Sequence, residues 1–263
     1  MNSASKVFSK ATGTQSIYRC LTILKTVAKY NESGVRLSQL SREVGLHTAT
    51  VHRILSILLE EGWVIINPDS KTYHLGFELF ALGKAAYQFN LRDVLHGALE
   101  RIGHKTEDAT YLVIQSGYDA ICLDRVVGKF PIQVLTFEIG ERRPMGIGAG
   151  SLTLLSSLSN PQIDTIINSN AKRYEAFHRT VEDVKASVSH CRRVGYGLSV
   201  KTVSPDTIGV GLLIENSEGK GIAAISVAGI AKRMGPKRRE AIVRLIKAEI
   251  AAVDKRYLKS LKL

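Results

Sequence analysis

The sequence has 263 residues, enough for two domains or one large one, and 44% of them are hydrophobic, as in an ordinary globular protein. The formal net charge of +12 suggests an acidic partner. Residues 1–90 carry 10 Lys/Arg against 6 Asp/Glu, and the remainder carries 26 against 18, which gives +4 and +8. The excess positive charge is spread over the whole chain. A prediction of nucleic-acid binding therefore has to rest on a sequence motif rather than on net charge.

Three kinds of protein are disfavoured by the composition. Cys20, Cys122 and Cys191 form no C-x-x-C pair, which argues against a disulfide framework and a structural zinc site. The N-terminus lacks the apolar core of a signal peptide, and no apolar run is long enough to span a bilayer. We therefore expect a cytoplasmic protein without a membrane segment.

The first 76 residues predict an arm, three helices and a hairpin. Residues 1–14 are small, polar and basic and are predicted to be a flexible arm. Ser16, Ser38 and Thr48 are predicted N-caps of three successive helices, and Gly45 is the predicted C-terminal stop of the second. One face of the first helix carries Ile17, Leu21, Leu24 and Ala28. The third helix has the spacing of an amphipathic helix on a core, with Val51, Ile54, Leu55, Leu58 and Leu59.

After Gly62 the hydrophobic period changes, and residues 63–76 predict a strand, a turn at 67–70 and a second strand. Two short helices joined by a tight turn and followed by a hairpin have the order of a winged helix-turn-helix. We assign this domain to residues 15–76. A helix over 77–90 is predicted to link it to a second domain, residues 91–263.

The outer face of the third helix has the side chains of a recognition helix. Short hydroxyls and arginine contact phosphates and base edges in the major groove. The predicted DNA contacts are Ser38, His47, Thr48, Thr50, His52, Arg53, Ser56 and Lys71. Ser38, Ser56 and Lys71 are assigned to phosphates. The alternative is a three-helix module with a solvated polar face. A metal site at His47 and His52 is disfavoured, because they are five residues apart and no carboxylate accompanies them.

The second region predicts mixed structure. We expect helices over 92–103, after the glycine-rich turn at 142–150, over 181–191 and from Pro236 onward, and strands over 109–117, 119–127, 132–140, 196–203, 207–215 and 221–229.

Several segments resemble the IclR-type bacterial transcription regulators. In the N-terminal domain these are "SIYRCLTILKTV", "LSQLSREVGLHTATVHRILSILLEEGWV" and "YHLGFELFALG". "FEIGERRPMGIGAG" is similar to the family's G-x-R-x-P stretch, and residues 195–229 resemble its C-terminal signature. The resemblance implies an α+β protein with an N-terminal winged helix-turn-helix domain, a linker helix and a C-terminal GAF/PAS-like antiparallel sheet flanked by helices. It also implies an organic or aromatic acid effector, and dimers that pair into tetramers.

The chain departs from the family pattern at several positions. Ala49 stands where many members have Ser, Thr202 where Glu is usual, and Glu215 where an aromatic is usual. Gly209 replaces a small residue that is often Cys, and Gly146 and Gly148 replace His and Thr/Ser. These changes concern the chemistry of the effector pocket rather than the fold.

A ligand pocket is expected where the glycine-rich turn opens a helix. Backbone amides that approach a ligand and the positive end of a helix suit a carboxylate, although three glycines also allow a tight turn and close packing. Carried over from the resemblance, the effector contacts are Gly148, Ala149, Gly150, Ser199, Gly209 and Ser226. Ser226 alternatively bonds a neighbouring carbonyl. Arg125 and Arg143 are candidates to pair with an acid, but surface exposure is expected for both.

Catalysis and cofactor binding are not indicated. "GIGAGS" is neither a Gly-x-Ser-x-Gly elbow nor a Walker loop, and the spacing of Asp124, His178 and His190 assembles no triad. The sequence thus predicts a ligand-responsive regulator whose partners are double-stranded operator DNA, a small-molecule effector and further copies of itself. Effector binding would act on the DNA-binding domains through the 76–89 helix. The alternative is an architectural DNA-binding protein whose C-terminal domain only oligomerises.

Overall fold

A computed structural model describes residues 14–85 and 88–253. The chain divides into two compact units, residues 1–86 and 87–263. The predicted arm lies outside the described residues except for Thr14. The predicted linker helix corresponds to two described helices, and residues 86–87 between them lie outside the description.

The first unit contains the predicted winged helix-turn-helix. Its elements are α1 Gln15–Lys29, β1 Val35–Arg36, α2 Leu37–Val44, α3 Thr48–Glu60, β2 Val64–Ile66, β3 Thr72–Leu75 and α4 Phe77–Ala85. The small antiparallel sheet has the order β1-β3-β2, and β1 is a strand that the sequence analysis did not predict. The core of the unit consists of Ile23, Val27, Val35, Leu40, Val51, Leu55, Leu58, Val64 and Tyr73.

All three predicted N-caps are wrong. Helix α1 has Thr14 as its N-cap, α2 has Arg36 and α3 has His47. Arg36 is extended because it is paired in β1, so α2 begins directly after the strand and Ser38 falls inside its first turn. None of these three residues caps its helix with a side-chain hydrogen bond, so the hydroxyl pattern behind the prediction has no counterpart at the helix starts.

The predicted face of α1 is not its buried face. Ile23 and Val27 are fully buried, whereas Ile17 and Leu21 are 61% and 48% exposed. The helix carries two apolar stripes, and the sequence alone does not say which one meets the core. The second stripe is left on the surface of the unit.

The hairpin is attached to the loop after α1 by a small polar network. His74 contacts the carbonyl of Asn31 through Nδ1 (2.8 Å), and the Asn31 side chain accepts from the N–H of Leu75 (2.7 Å). Thr72 Oγ1 lies 3.0 Å from Nε2 of His74. Gly34 has a φ of +71° directly against this network, and a Cβ there would lie 2.5 Å from the His74 ring and 2.6 Å from Thr72. The hairpin therefore keeps its place only if residue 34 has no side chain.

The second unit is a six-stranded antiparallel sheet with helices on both faces. Its elements are α5 Gln88–Thr106, β4 Ala109–Ser116, β5 Asp119–Val126, β6 Arg142–Pro144, α6 Ala149–Ser156, α7 Asn160–Tyr174, α8 Val181–Val194, β7 Gly197–Val200, β8 Thr207–Glu215, β9 Gly221–Ile230 and α9 Pro236–Ala252. The strand order is β6-β5-β4-β9-β8-β7. This is the α+β architecture predicted for the C-terminal domain.

The six-stranded sheet has a hydrophobic core on each of its two faces, and alternate residues of a strand contribute to opposite cores. In β4, Leu112 and Ile114 pack against α5 and α9, while Tyr111 and Val113 pack against α6, α7 and α8. Alternate side chains of a strand point to opposite faces, so each inner strand contributes to both layers. The cavity described below lies on the α6 side.

Three features of the second unit differ from the sequence prediction. Residues 132–140 form no strand; they are a loop in which Val134 and Phe137 are buried and Ile132, Leu135 and Ile139 are exposed. The edge of β5 is paired with β6 instead. Strand β6 and helix α7 were not predicted, because the first has only three residues and the second has a largely polar sequence, NPQIDTIINSNAKRY.

Helices α5 and α9 are joined by a buried carboxylate. Glu249 on α9 is 6% exposed and accepts hydrogen bonds from Arg101 Nε (2.7 Å) and Lys105 Nζ (2.9 Å) on α5. The bond from Arg101, followed by that from Lys105, lowers the pKa of Glu249 despite its burial. The charged form is therefore the one that holds the two helices together.

We expect Gly34→Ala to destabilise the first unit more than Gly45→Ala does. Both positions have a positive φ, which costs a residue with a Cβ about 1–2 kcal/mol. Only Gly34 adds a steric clash, worth about a further 1–3 kcal/mol, since a Cβ at Gly45 would meet no atom within 4 Å. Urea unfolding of the full chain, followed by fluorescence of the single tryptophan, Trp63, measures both. Equal losses would show that the hairpin network tolerates a Cβ.

Glu249→Gln should lower the stability of the second unit at pH 7 by about 1.5–3 kcal/mol, the contribution of hydrogen bonds to a charged group. A lowered folded-state pKa contributes stability that is present above the unfolded pKa and lost as pH falls through the folded one. The free energy of unfolding of the wild type should therefore fall as the pH drops below about 4.5, and that of the variant should fall less steeply. Thermal unfolding between pH 7 and pH 3 measures this, with exposed Glu240→Gln as control. If the variant and the wild type have the same pH profile, ionised Glu249 does not stabilise the second unit.

Candidate DNA-binding face and ligand cavity

Helix α3 presents its predicted face to the surface of the first unit. His47, Thr48, His52, Arg53 and Ser56 are exposed, and Thr50 is half-buried. Ser38 on α2 and Lys71 on the hairpin are exposed as well. Val51, Leu55 and Leu58 on the other side are buried, so the amphipathic division predicted for α3 is confirmed.

Two hydroxyls of this face are already engaged. Ser56 donates to the carbonyl of His52 (3.0 Å), and Thr48 lies 3.3 Å from the hydroxyl of Ser41 on α2. Thr48 thus helps to hold α3 against α2 at the turn formed by Gly45. Within the described part of the chain, the side chains of His52 and Arg53 have no hydrogen-bond or ion-pair partner and remain available.

The second unit contains a cavity between the first turn of α6, the ends of β4, β7, β8 and β9, and the loop over 132–141. Its walls include all six effector residues expected from the sequence: Gly148, Ala149, Gly150, Ser199, Gly209 and Ser226. The cavity volume is about 50 Å³. A cavity of about 150 Å³ holds benzene, so this one admits a carboxylate and a few further atoms before its walls must move.

Helix α6 begins at the cavity. Gly148 is its N-cap with a φ of +87°, and a Cβ there would meet no atom within 4 Å. The first N–H groups of a helix have no acceptor within it, and those of Ala149 and Gly150 bond to none of the described residues. Both line the cavity, so it meets the positive end of α6.

The packing alternative for the glycine-rich turn holds at two of its three glycines. A Cβ at Gly146 would lie 2.7 Å from Val184 on α8, and a Cβ at Gly150 would lie 3.0 Å from Val113 on β4. Of the positions that depart from the family pattern, Gly148 and Gly209 line the cavity, while Gly146, Thr202 and Glu215 do not.

Two buried hydroxyls complete the polar wall. Ser199 and Ser226 are 9% and 7% exposed, and neither forms a hydrogen bond with any described residue. The alternative that Ser226 bonds a neighbouring carbonyl is therefore not observed. By contrast, Thr153 on the same side of the sheet bonds the carbonyls of Ala149 (2.8 Å) and Gly211 (3.0 Å). The two serine residues are buried, but their oxygens are not fully enclosed, so both hydroxyls are open to a molecule in the cavity.

Arg143 and Arg125 are not surface side chains, which corrects the expectation from the sequence. Arg143 lies opposite Ala120 in the β5–β6 ladder, and opposed residues share a face of the sheet, here the buried one. Its side chain is 8% exposed and lines the cavity, with the guanidinium carbon 4.3 Å from the centre of the Phe137 ring. Arg125 is 17% exposed and pairs with Glu138 (2.6 Å).

The loop over 132–141 borders the cavity and is attached to its surroundings at several points. The Tyr111 hydroxyl donates to the carbonyl of Val134, and burial raises the pKa of Tyr111 to about 12. Arg125 pairs with Glu138, and Cys122 exchanges backbone hydrogen bonds with Gly140 (2.8 Å) and Glu141 (3.2 Å). Tyr111 and Phe137 were not predicted as wall residues, because a buried aromatic in an apolar segment has no sequence feature that separates a cavity wall from ordinary core.

No catalytic or metal centre is assembled by the residues singled out earlier. Asp124 is buried and bonds Nδ1 of His96 (2.7 Å) and pairs with Arg92, not with His178 or His190. Residues 14–85 and 88–253 hold no cluster of three or more His, Cys, Asp and Glu side chains suited to a metal ion. No helix in those ranges combines the length and apolar character needed to cross a membrane.

Comparison with known proteins identifies the architecture. Residues 83–255 match the C-terminal domain of the bacterial transcriptional regulator IclR, and residues 16–65 match the IclR helix-turn-helix domain. The chain belongs to the IclR family.

Individual relatives agree. The chain is 26% identical over 228 residues to the HTH-type transcriptional regulator KipR of Bacillus subtilis, covering 82% of this chain and 89% of KipR. It is 25% identical over 234 residues to the transcriptional repressor IclR of Escherichia coli, covering 87% and 85%. A solved IclR homologue from Microbacterium hydrocarbonoxydans, complexed with 4-hydroxybenzoate, superposes with a TM-score of 0.79 at 19% identity and covers 94% of this chain and all of that one.

IclR-family membership makes this protein a DNA-binding transcription regulator and agrees with the expectation that it is not an enzyme, since the matched relatives are regulators.

Proposed function

We propose that this IclR-family regulator responds to a small organic or aromatic acid, which binds in the cavity of the second unit and alters operator binding by the first. The observation behind this proposal is the set of partnerless donors at one cavity: the amides of Ala149 and Gly150 and the hydroxyls of Ser199 and Ser226. Amides at a helix N-terminus favour an anion, and hydroxyls donate to its oxygens. The proposal places the protein in the cytoplasm, where operator DNA is available.

The α3 face is proposed to enter the major groove. Thr50, His52 and Arg53 are assigned to bases or phosphates, together with Thr48 and His47 at the start of the helix. Ser38, Ser56 and Lys71 are assigned to the backbone. Support comes from the exposure of these side chains, from the absence of described partners for Arg53, and from the burial of the opposite face. Arginine is suited to bidentate binding of guanine.

An aromatic effector requires movement of the cavity wall. The homologue complexed with 4-hydroxybenzoate supports the view that this fold accepts an aromatic acid. With a volume of about 50 Å³, the cavity of this chain is too small for a ring until the loop over 132–141 moves outward. That loop has no ladder partner along 132–140, so its displacement breaks only a few hydrogen bonds.

A dimer is proposed to present two α3 helices to a pseudo-palindromic operator. The first unit exposes Ile17 and Leu21 on α1, and Phe77 and Phe80 on α4 are 82% and 73% exposed. Apolar surface of this kind is usually covered by a partner, and a twofold dimer matches a twofold operator. Pairing of dimers into a tetramer rests on the family resemblance.

Coupling is proposed to pass through residues 76–89, between the cavity-bearing unit and the DNA-binding unit. A ligand shifts the DNA-binding arrangement only if it binds the two arrangements with different affinity. The loop over 132–141 supplies such a difference if its open and closed positions hold the ligand differently. A purely architectural DNA-binding protein would need no ligand. That alternative does not account for the hydrogen-bond donors of the cavity wall, which lack partners among the described residues.

Ser226→Leu should abolish ligand response and leave DNA binding intact. The larger side chain fills a cavity of about 50 Å³ and removes a donor. The measurement is the effect of 4-hydroxybenzoate, benzoate and pyruvate on affinity for a DNA sequence selected in vitro with the wild-type protein. Exposed Ser189→Leu in α8 is the control. An unchanged response of the Ser226 variant would exclude this cavity as the effector site.

Arg53→Ala should weaken binding to that selected sequence by about 1–3 kcal/mol, the value of one bidentate base contact. Binding to random DNA at the same salt concentration should weaken less, because the loss concerns base recognition. Exposed Lys25→Ala on α1 removes the same charge away from the proposed face and is the control. Equal affinity of Arg53→Ala and the wild type at matched salt would remove Arg53 from the interface.

A further inference from the structure

Arg143 is a buried cation with an incomplete set of partners. Its side chain is 8% exposed, and its only hydrogen bond to a described residue runs from Nε to Oε1 of Glu141, 3.2 Å long. The two terminal nitrogens of the guanidinium have no acceptor among the described residues, and they are not fully enclosed by protein atoms, so a molecule in the cavity is able to reach them. A buried charge is costly unless it is paired and hydrogen-bonded, so this arrangement favours an additional anion.

The position of the guanidinium is fixed from two sides. It stacks on Phe137 at 4.3 Å, and the β5–β6 ladder holds the backbone of Arg143 opposite Ala120. While the loop keeps its observed position, the stacked guanidinium holds its planar fork in one orientation, which lowers the entropy lost when a small carboxylate such as pyruvate binds. Arg143 lines the same cavity as Gly148, Ala149 and Ser226.

Glu141 is a weak partner for this cation. Its other oxygen, Oε2, accepts from the N–H of Glu138 (2.8 Å), and its side chain is 39% exposed. It therefore reaches Arg143 with one oxygen at one nitrogen, whereas arginine and a carboxylate pair most strongly through two parallel hydrogen bonds. A ligand carboxylate in the cavity is able to form that two-pronged pair without displacing Glu141 from Glu138.

We infer that Arg143 determines the charge of the effector: it binds the ligand carboxylate through its terminal nitrogens, and Glu141 opposes that binding as a competing negative charge. This inference rests on the proposed function of the cavity. It restricts the ligand class to carboxylates and excludes the corresponding uncharged amides. The negative charge of Glu141 then lowers the affinity of the cavity for the carboxylate.

A purely structural Arg143 would have different consequences. If the guanidinium only balanced Glu141 and stacked on Phe137, its loss would lower stability and affect acids and amides equally. If it binds the ligand, the loss is confined to the charged member of each pair. Removal of the Glu141 charge separates the two cases as well. If Glu141 only pairs with Arg143, its loss does not tighten acid binding, whereas the loss of a competing charge does.

The experiment measures dissociation constants by calorimetry on the full chain for three matched pairs: pyruvate and pyruvamide, benzoate and benzamide, and 4-hydroxybenzoate and 4-hydroxybenzamide. The wild type should bind at least one acid more tightly than its amide. Arg143→Gln should weaken that acid about 10- to 100-fold, the value of hydrogen bonds to a charged group. Arg142→Gln, on the same strand and exposed, is the control and should change affinity less than about twofold.

Two further variants keep the test independent of folding defects. Arg143→Lys retains the charge without the fork and should bind the acid with intermediate affinity. Glu141→Gln should bind it about 3- to 10-fold more tightly, since a nearby like charge is removed. Circular dichroism and binding to the in vitro-selected DNA establish that each variant is folded.

The outcomes that would overturn the inference are distinct from failure of the proposed function. Wild-type affinity of Arg143→Gln for the acid, or equal wild-type affinity for an acid and its amide, would show that Arg143 does not select charge, while ligand response would stand. A wild-type protein that binds none of the acids would contradict the acid effector itself, and the inference would fall with it. Weaker acid binding by Glu141→Gln would show that Glu141 positions Arg143 rather than competing with the ligand.

Discussion

The first turn of α6 lies directly on strand β8, and this contact positions the polar wall of the cavity. A Cβ at Gly211 would lie 2.7 Å from the carbonyl of Ala149 and 2.8 Å from the amide nitrogen of Gly150, so a side chain at 211 would force the helix away. Every residue of α6 is buried, and Thr153 ties the helix to the carbonyl of Gly211. Because the backbone itself rests on the sheet, the free amides of the helix are held at a fixed distance from the strands that carry Ser199 and Ser226. The cavity exists where this close packing stops, at Gly148.

The cavity wall differs in composition between the two edges of the sheet. Near β7 and β8 the cavity wall includes Ser199, Gly209 and the aliphatic Ile208, while towards β4 and β6 it includes Tyr111, Phe137 and Arg143. Preorganised donors thus face a cation across one small space. Electrostatic attraction in such a partly dry site exceeds that in water, so the few polar groups of this wall would be enough to hold the proposed acid.

Sequence reasoning succeeded where the signal is local and failed where it depends on pairing. The apolar stripe of α3, the apolar run of β4 and the proline at the start of α9 all depend on neighbouring residues, and the structure has each of these elements. Residues 132–140 have the composition of a strand, but strand formation needs a partner, and β6 occupies the available edge. The burial of Arg143 follows from its register opposite Ala120, which no local pattern encodes. The six expected effector residues came from family resemblance; they lie on four separate segments that meet at one cavity wall, and periodicity would not have brought them together.

A cavity of about 50 Å³ would have a kinetic consequence if the proposed effector is ring-shaped. Such a molecule would enter only when the segment around Val134 and Phe137 moves away, so the association rate would be limited by the fraction of time spent in that position rather than by collision. The departure rate would be limited by the same motion. A bound ring would consequently exchange slowly even at modest affinity, and the regulator would respond to the sustained level of its effector rather than to brief fluctuations.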